Sequence, residues 1–238
     1  PEARAAAGSA GVRLVPGCEI SCDLAGRAPG SMHLLVFFVD DVAGELQNRL
    51  RALQRARNER NVQIVDALNA HGIPITVEAV QAQAGPGSVG RPHIARVLME
   101  EGYVSSIQEA FDTWLAKGRP AYFERDRLAP EEAIELTHAS GGVCAVAHPM
   151  SLGLADGELD ELIGALRGAG LDGLECEYGG YLPEERAALH ELAARQSLAP
   201  TGGSDYHGDN KPGLSVGTGR GDLRVPDEYL DELESRRP

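Results

Sequence analysis

The chain has 238 residues, 42% of them hydrophobic, and its 36 acidic and 22 basic residues give a formal net charge of −14. This length and composition predict a globular protein with one large domain, or one domain with an insertion. The acidic balance argues against an extended nucleic-acid-binding face, but it is compatible with a small anionic substrate held by metal ions or a few arginines. No apolar run reaches the roughly 18 residues that a membrane span needs, and residues 1–11 lack a signal-peptide core. We therefore expect a cytoplasmic enzyme with no membrane partner, and the sequence predicts no particular oligomeric state.

The first half of the chain begins with two predicted strands and continues as helices. The strands, "VRLVPGCEI" (12–20) and "MHLLVFFVD" (32–40), are rich in β-branched and aromatic residues and are separated by a Gly/Pro loop. No strand is predicted between residues 42 and 119. The predicted helices cover Val42–Gly72 and segments near 76–84, 92–101 and 105–117.

Helices and strands alternate in the second half of the chain. The predicted order is helix "APEEAIELTHASGG", strand "VCAVAHP", helix "GELDELIGALRGAG", strand "LDGLECEY", helix "LPEERAALHELAARQ" and strand "LAPTGGSD". Repeated βα units predict a parallel sheet or a (β/α) barrel. In such folds the chemistry collects at the carboxyl ends of the strands.

Potential metal ligands and acid-base groups lie at or just past the predicted strand ends. They are Glu19 in "GCEIS", His148 in "AVAHP", Glu175 and Glu177 in "LECEY", and Asp205 with His207 in "GGSDYHG". The strand ends that carry Glu19, His148 and the Asp205 pair offer nitrogen and oxygen ligands without thiolates. Such a set suits Mn, Zn or Fe in a hydrolase better than a structural zinc. His33 begins its apolar run and is less diagnostic by itself.

The stretch "TGGSDYHGD" (201–209) is, by itself, compatible with a metal site or with a polar surface turn. A carboxylate and an imidazole two residues apart after a strand can face one cavity, as a metal site requires. A hydrolytic triad is disfavoured because Ser204, Asp205 and His207 are too close in sequence. Tyr206 also stands where a nucleophile elbow has its last glycine.

Two arginines interrupt the apolar face of the long predicted helix. Apolar residues recur at spacings of three and four along one face of this helix. The same spacings, continued between Leu53 and Ile64, place Arg57 and Arg60 on that face. The apolar stripe consists of Leu46, Leu50, Leu53, Ile64 and Leu68. An inward-facing arginine pair needs an anionic partner, and a phosphate matches the guanidinium fork. Alternatively, the helix leaves the core there and the arginines snorkel or pair with acids.

The stretch "VGRPHIAR" places Arg91 and His93 at the start of a predicted helix. A helix N-terminus favours an anion, although a Gly-Arg-Pro turn alone is commonly structural. The other helix-associated histidines, His71, His138 and His190, are expected to be surface or core residues. The "RGD" tripeptide at 220–222 is assigned no role.

The four cysteines, Cys18, Cys22, Cys144 and Cys176, include no C-x-x-C pair. All four lie in or beside apolar stretches that are predicted to be strands. We expect them to be buried free thiols rather than zinc ligands or disulfides.

Taken in order, "GCEIS", "HLLVFF", "RARNERN", "GRPHIAR", "GGVCAVAHP" and "GGSDYHG" resemble the PHP (polymerase and histidinol phosphatase) superfamily of metal-dependent phosphoesterases. The resemblance is strongest to its nucleoside 3′,5′-bisphosphate phosphatase and 5′-to-3′ exoribonuclease branch, and it runs from Leu14 to Gly217. It implies an α/β fold, a distorted (β/α)7 barrel formed by residues 1–41 and 120–238. Residues 42–119 would form a helical insertion over the active site.

The resemblance also implies a set of site residues. Glu19 would bridge two ions in a cluster of two or three divalent metals, with manganese favoured over zinc and iron. The implied metal ligands are Glu19, His33, His148, Asp205 and His207, and all of these except His33 are also expected to be catalytic. The implied phosphate-binding residues are Arg57, Arg60 and Arg91, with His93 close by.

The reaction expected from the resemblance is attack on phosphorus by a water molecule that the metals activate. The expected substrate is a small nucleotide, such as a nucleoside 3′,5′-bisphosphate or the 5′ end of a short RNA. A histidinol-phosphatase-like enzyme and a non-catalytic nucleotide-binding module are the alternatives.

The sequence departs from this family at its start. Family members begin with a strand ending in H-x-H, a helix, and a second strand ending in an Asp-His pair, and none of these precedes "LVPGCEIS". Such a unit takes at least about 30 residues. Because the later ligand positions are intact, we expect a fragment of a longer protein rather than a degraded member. A protein that began at Pro1 would be expected to have weak or no catalysis and an open barrel edge beside the Glu19 strand.

Overall fold

The computed structural model describes residues 2–39, 44–84, 89–124, 126–208 and 213–238. The chain divides into two compact units. The sheet unit comprises residues 1–47 and 127–238, and the helical unit comprises residues 48–126. No strand occurs among the described residues of the helical unit, in agreement with the sequence pattern. The barrel and insertion boundaries implied by the resemblance stay a prediction.

The described residues form five strands and nine α-helices. The strands are β1 (Gly17–Cys22), β2 (Met32–Phe37), β3 (Val143–Val146), β4 (Gly173–Tyr178) and β5 (Ala199–Gly203). The helices are α1 (Glu2–Ala10), α2 (Glu45–Ala70), α3 (Val77–Ala84), α4 (Arg91–Glu100), α5 (Ile107–Ala110), α6 (Pro130–Ala139), α7 (Asp156–Gly168), α8 (Pro183–Arg195) and α9 (Asp227–Glu234). A π-helical turn covers Phe111–Leu115 and a 3-10 turn covers Pro149–Leu152. None of the helices in the described ranges is long and apolar enough to cross a membrane.

The strands lie in the order β1-β2-β3-β4-β5. Strands β3, β4 and β5 are parallel, as the βα repeats predict. Strand β2 instead runs antiparallel to both β1 and β3. Residues 23–31 join β1 to β2, and this connection is shorter than the dozen or more residues that a parallel crossover needs. The start of β2 therefore lies beside the carboxyl end of β3.

The core of the sheet unit is centred on β2 and β3. All four residues of β3 are buried, which is typical of a strand that is covered on both faces. Leu34 of β2 lies opposite Val146 of β3, and both side chains are fully buried. Helix α6 packs against β1, β2 and β3, while α8 packs against β4 and β5.

The helical unit has an apolar core of its own. Ile64 and Leu68, one turn apart on α2, pack with Ile94 and Leu98 of α4 and with Leu115 of the π-helical turn. All five side chains have 0% relative exposure. This part of α2 follows the predicted apolar stripe, and the spacing of four residues places its members on one face.

The four cysteines are free thiols, as predicted. Cys22, Cys144 and Cys176 are buried, and Cys18 is half-buried. Burial raises the pKa of each thiol above its ordinary value. These cysteines are therefore protonated packing residues of β1, β3 and β4 at neutral pH.

The "RGD" tripeptide at 220–222, to which the sequence assigns no role, includes Asp222, which makes an ion pair with Arg186. Nη2 of Arg186 on α8 donates to the Asp222 carboxylate at 2.8 Å and to the carbonyl of Tyr178 at 3.1 Å. The same guanidinium lies 3.7 Å from the Glu177 carboxylate. Asp222 thus helps to hold the C-terminal segment against the end of β4.

We expect Ile64→Ala to lower the free energy of unfolding by about 2 to 5 kcal/mol, because it removes fully buried methyl groups from the helical core. Val62 lies on the same helix but is 42% exposed, so Val62→Ala should change that free energy by less than about 0.5 kcal/mol. Urea unfolding followed by circular dichroism measures both variants. Equal loss in the two variants would contradict the assignment of this core.

Candidate functional site

The antiparallel pairing of β1 with β2 brings Glu19 next to His33. Ser21 lies directly opposite His33, and Glu19, two residues earlier, points to the same face as Ser21. Glu19 and His33 are therefore diagonal neighbours on one face of the sheet. The prediction that Glu19 lies at a strand end is wrong, since Glu19 lies inside β1.

His148 joins these two side chains from the neighbouring strand. The Ala147 N–H donates to the carbonyl of His33 at 3.0 Å, which continues the β2–β3 ladder one residue beyond β3. His148 follows at once, where the chain turns into the 3-10 turn. The three residues thus come from β1, β2 and the end of β3.

Three ligand atoms converge at this point. His33 Nδ1 lies 2.5 Å from Glu19 Oε1, His148 Nε2 lies 3.3 Å from the same oxygen, and the two ring nitrogens are 3.2 Å apart. Hydrogen bonds from His148 and His33 hold the pKa of the Glu19 carboxyl far below its usual range, although burial acts in the opposite direction. The Glu19 carboxylate in turn raises the pKa of His148.

The chemistry of this cluster fits a divalent metal ion. One carboxylate oxygen and two imidazole nitrogens lie within 4.8 Å of one another, and the side chains are partly accessible. Such a mixed oxygen and nitrogen set without thiolate suits Mn, Zn or Fe. The described residues therefore include three of the five predicted metal ligands in one cluster.

The backbone at His148 adopts a left-handed conformation, with φ 29° and ψ 59°. Such values are uncommon outside glycine and are held only where the surroundings enforce them. The His148 N–H donates to Glu175 Oε2 at 2.6 Å, and His148 Nδ1 lies 2.8 Å from the Ser151 hydroxyl. Main chain and ring are therefore both held by hydrogen bonds.

The structure separates the roles of Glu175 and Glu177. Glu175 is 4% exposed and bonds to His148, whereas Glu177 lies 2.9 Å from His190 of α8. Two residues at this spacing in a regular strand would point to the same face, but a register shift relative to β5 lies between them. Burial raises the pKa of the Glu175 carboxyl to about 7, while its hydrogen bond from the His148 backbone acts in the opposite direction.

Asp205 and His207 form a second polar group in the loop after β5. His207 Nδ1 lies 3.0 Å from Asp205 Oδ1 and 2.8 Å from the Asp205 carbonyl. Asp205 also has a left-handed backbone, with φ 50°. Among the described residues, these two are not members of the cluster of Glu19, His33 and His148, so their predicted ligand role stays a prediction.

Tyr178 lies between the two groups. Its hydroxyl donates to Asp205 Oδ2 at 2.9 Å, and its ring makes an edge contact with the His148 ring at 5.9 Å. Tyr181 packs on Tyr178 with ring centroids 4.9 Å apart and accepts a hydrogen bond from the Met150 N–H. Neither tyrosine belongs to the predicted site residues, although Tyr178 follows Glu177 directly at the end of "LECEY".

The arginines predicted on the long helix lie in the helical unit. Arg60 is 6% exposed and donates to the Asn61 side chain at 3.2 Å, and burial lowers the pKa of Arg57. Asn61 in turn donates to the carbonyl of Val89 at 3.2 Å, just before α4. This part of α2 is thus tied to the segment that leads into Arg91.

Arg91 and His93 are both held by local contacts at the start of α4. Arg91 Nη1 donates to the Leu115 carbonyl at 3.0 Å, and its guanidinium lies over the rings of Phe111 and Tyr122 at 5.9 and 5.4 Å. His93 Nδ1 accepts the Gly90 N–H at 3.1 Å, in the manner of the third residue of a capping box. The predicted substrate contacts of both residues stay predictions.

A second group of potential ligands consists of His138, Cys144 and Asp172. Asp172 Oδ2 lies 2.8 Å from His138 Nε2 and accepts the Cys144 N–H at 2.9 Å. The Cys144 thiol is fully buried and its pKa is raised by burial. These hydrogen bonds explain why the three residues lie together, with no need for a metal ion. This agrees with the expectation that His138 is a surface or core residue.

Comparison with known proteins gives three close likenesses. No protein-family profile matches the chain. A 5′-3′ exoribonuclease from Haemophilus influenzae is 32% identical over 206 residues, which cover 87% of this chain and 74% of the relative. A 3′,5′-nucleoside bisphosphate phosphatase from Chromobacterium violaceum is 29% identical over 219 residues, which cover 91% of this chain and 75% of the relative. The structure of a protein assigned as a metal-dependent phosphoesterase from Bifidobacterium adolescentis aligns with a TM-score of 0.75 at 31% identity, over 100% of this chain and 81% of that one. This likeness confirms the predicted α/β fold class.

We expect His148→Ala to weaken divalent metal binding, because it removes one of three converging ligand atoms. His71 is exposed, its Nδ1 lies 2.8 Å from the carbonyl of Ala67, and its ring contacts Trp114, so His71→Ala is the control. Metal content after reconstitution and desalting, measured by mass spectrometry on the full-length protein, distinguishes the two. Wild-type metal content in His148→Ala would contradict this assignment.

Proposed function

Because the chain belongs to the PHP superfamily of metal-dependent phosphoesterases, we propose that it hydrolyses phosphate esters of small nucleotides. The proposed reactions are removal of the 3′-phosphate from a nucleoside 3′,5′-bisphosphate and release of nucleotides from the 5′ end of short RNA. Two sequence relatives support this proposal, since one is a 5′-3′ exoribonuclease and the other a 3′,5′-nucleoside bisphosphate phosphatase. Each substrate presents a phosphate on a small, flexible nucleotide.

The observation that most supports this proposal is the convergence of Glu19, His33 and His148 within 4.8 Å. Asp205 and His207 are proposed to complete the ligand set. Divalent ions bound here would polarise the phosphoryl oxygens and acidify a water molecule for the attack on phosphorus. We propose two or three manganese ions, since carboxylate and imidazole ligands without thiolate suit this metal.

The protein residues contribute position and charge. The pKa of Glu19 lies far below neutrality, so its carboxylate is ionised and ready to bind a cation at physiological pH. The Ser151 hydroxyl and His148 Nδ1 lie 2.8 Å apart, and this contact orients the ring so that Nε2 points toward Glu19. A metal ligand held in this way loses less conformational freedom on binding.

Arg57, Arg60 and Arg91 are proposed to bind the substrate phosphates. A guanidinium presents five N–H donors in a planar fork that matches phosphate oxygens. In Arg91 the Leu115 carbonyl occupies one of these donors, and contacts with Phe111 and Tyr122 orient the plane of the group. His93, whose Nδ1 accepts a backbone N–H, is left with Nε2 as the donor in its neutral form.

An activity assay of the full-length protein tests the proposal directly. The metal-reconstituted enzyme is incubated with nucleoside 3′,5′-bisphosphates, short oligoribonucleotides and histidinol phosphate, and phosphate or nucleotide release is measured. Turnover of the first two substrates supports the proposal. Turnover of histidinol phosphate alone would contradict the substrate class, and nucleotide binding without turnover would instead indicate a non-catalytic module.

We expect Arg91→Lys to raise KM for a 3′,5′-bisphosphate by about 10- to 100-fold, because it loses the forked, charge-assisted hydrogen bonds to phosphate. Metal content should not change. Arg96 lies on the same helix and is exposed, so Arg96→Lys should leave KM unaltered. Steady-state kinetics with metal analysis measures these effects, and an unchanged KM in Arg91→Lys would contradict its phosphate-binding role.

A further inference from the structure

The N–H of His148 has an unusual acceptor. In the parallel ladder, Ala145 lies opposite Gly173 and Val146 lies opposite Leu174, so Glu175 is the next residue along β4. The His148 N–H turns away from backbone partners and donates to the carboxyl of Glu175 at 2.6 Å. A side chain from the neighbouring strand therefore ends the ladder and starts the turn.

The position of the Glu175 carboxyl indicates that this contact is specific. Glu175 is 4% exposed, and burying a carboxyl group is costly unless it is hydrogen-bonded. A strand position in a buried sheet is normally occupied by an apolar residue. It accepts a hydrogen bond from the backbone N–H of His148.

The conformation of His148 explains what this hydrogen bond does. A left-handed backbone at a residue with a side chain is strained and persists only when the surroundings fix it. With φ 29°, the chain leaves the strand direction and enters the 3-10 turn, and the ring Nε2 lies 3.3 Å from Glu19 and 3.2 Å from His33. An extended residue at this position would continue the direction of β3.

We propose that Glu175 is a positioning residue for the metal site. Its buried carboxyl holds the His148 backbone in the left-handed turn that aims Nε2 at Glu19 and His33. Glu175 itself is not a ligand in this proposal, and it acts only through His148. The inference rests on the proposed metal-dependent function, because its consequence is the affinity of the site for a divalent ion.

The test compares variants of the full-length protein that differ in the hydrogen-bond acceptor. Glu175→Met keeps the length of the side chain but removes the acceptor, while Glu175→Gln keeps a carbonyl oxygen that can accept from the same N–H. Glu177→Gln is the matched control, since Glu177 lies on the same strand and pairs with His190 and Arg186. Manganese is titrated into each metal-free protein by calorimetry, and thermal unfolding of each metal-free protein is recorded.

We expect Glu175→Met to weaken manganese binding by about 10- to 100-fold, the range typical when a residue that hydrogen-bonds a metal ligand is replaced. Glu175→Gln should recover most of this loss. Glu177→Gln should bind manganese like the wild type even where its melting temperature falls. Equal affinity in wild type and Glu175→Met would overturn the proposal. Absence of manganese binding by the wild type would instead contradict the proposed function.

A second measurement, on the wild type and Glu175→Gln, covers the case in which Glu175→Met does not fold. The His148 amide proton should be protected from hydrogen exchange, and its NMR signal should shift when Glu175→Gln replaces the carboxylate with a neutral acceptor. An amide that exchanges at the rate of an exposed loop would overturn the proposal. Protection with the expected shift supports it.

Discussion

The position of the Glu19 carboxylate, between the imidazoles of His33 and His148, depends on the register of β1 against β2. Ile20 and Cys22 of β1 and Leu34 of β2 are buried on one face, so Glu19 and His33 must lie on the other. A slip of one residue in either strand would move its buried side chains to the opposite face. The apolar alternation that stabilises the sheet therefore also places the polar residues of the site on its other face.

The alternation of apolar residues and the helix start and stop signals made much of the fold predictable from sequence. The five strands and most helices occur where the patterns predict them, and His148 of "AHP" lies just after a buried strand, in the cluster with Glu19 and His33. The pattern could not establish strand direction. The position of His33 at the start of its strand gives little evidence of a ligand role from sequence. Antiparallel pairing puts that start beside His148. Strand direction depends on long-range pairing, which local periodicity does not contain.

The roles of Glu175 and Glu177 could not be separated for a related reason. Their spacing of two residues predicts a shared face, and only the register shift between β4 and β5 sends one to His148 and the other to α8. The sequence gives no signal for Tyr178, because a tyrosine in a strand is usually a packing residue. Its hydrogen bond to Asp205 appears only once β4 and β5 lie side by side.

Dissolved salt screens the exposed acidic groups of the protein more strongly than the partly buried arginines of the helical unit. At physiological ionic strength the Debye length is about 8 Å, so most of the acidic surface is screened from a nucleotide phosphate. A partly buried cation is screened much less. Arg60 is 6% exposed, and burial lowers the pKa of Arg57. Under the proposed function, a few such groups would attract a small phosphate ester although the net charge of the protein is negative.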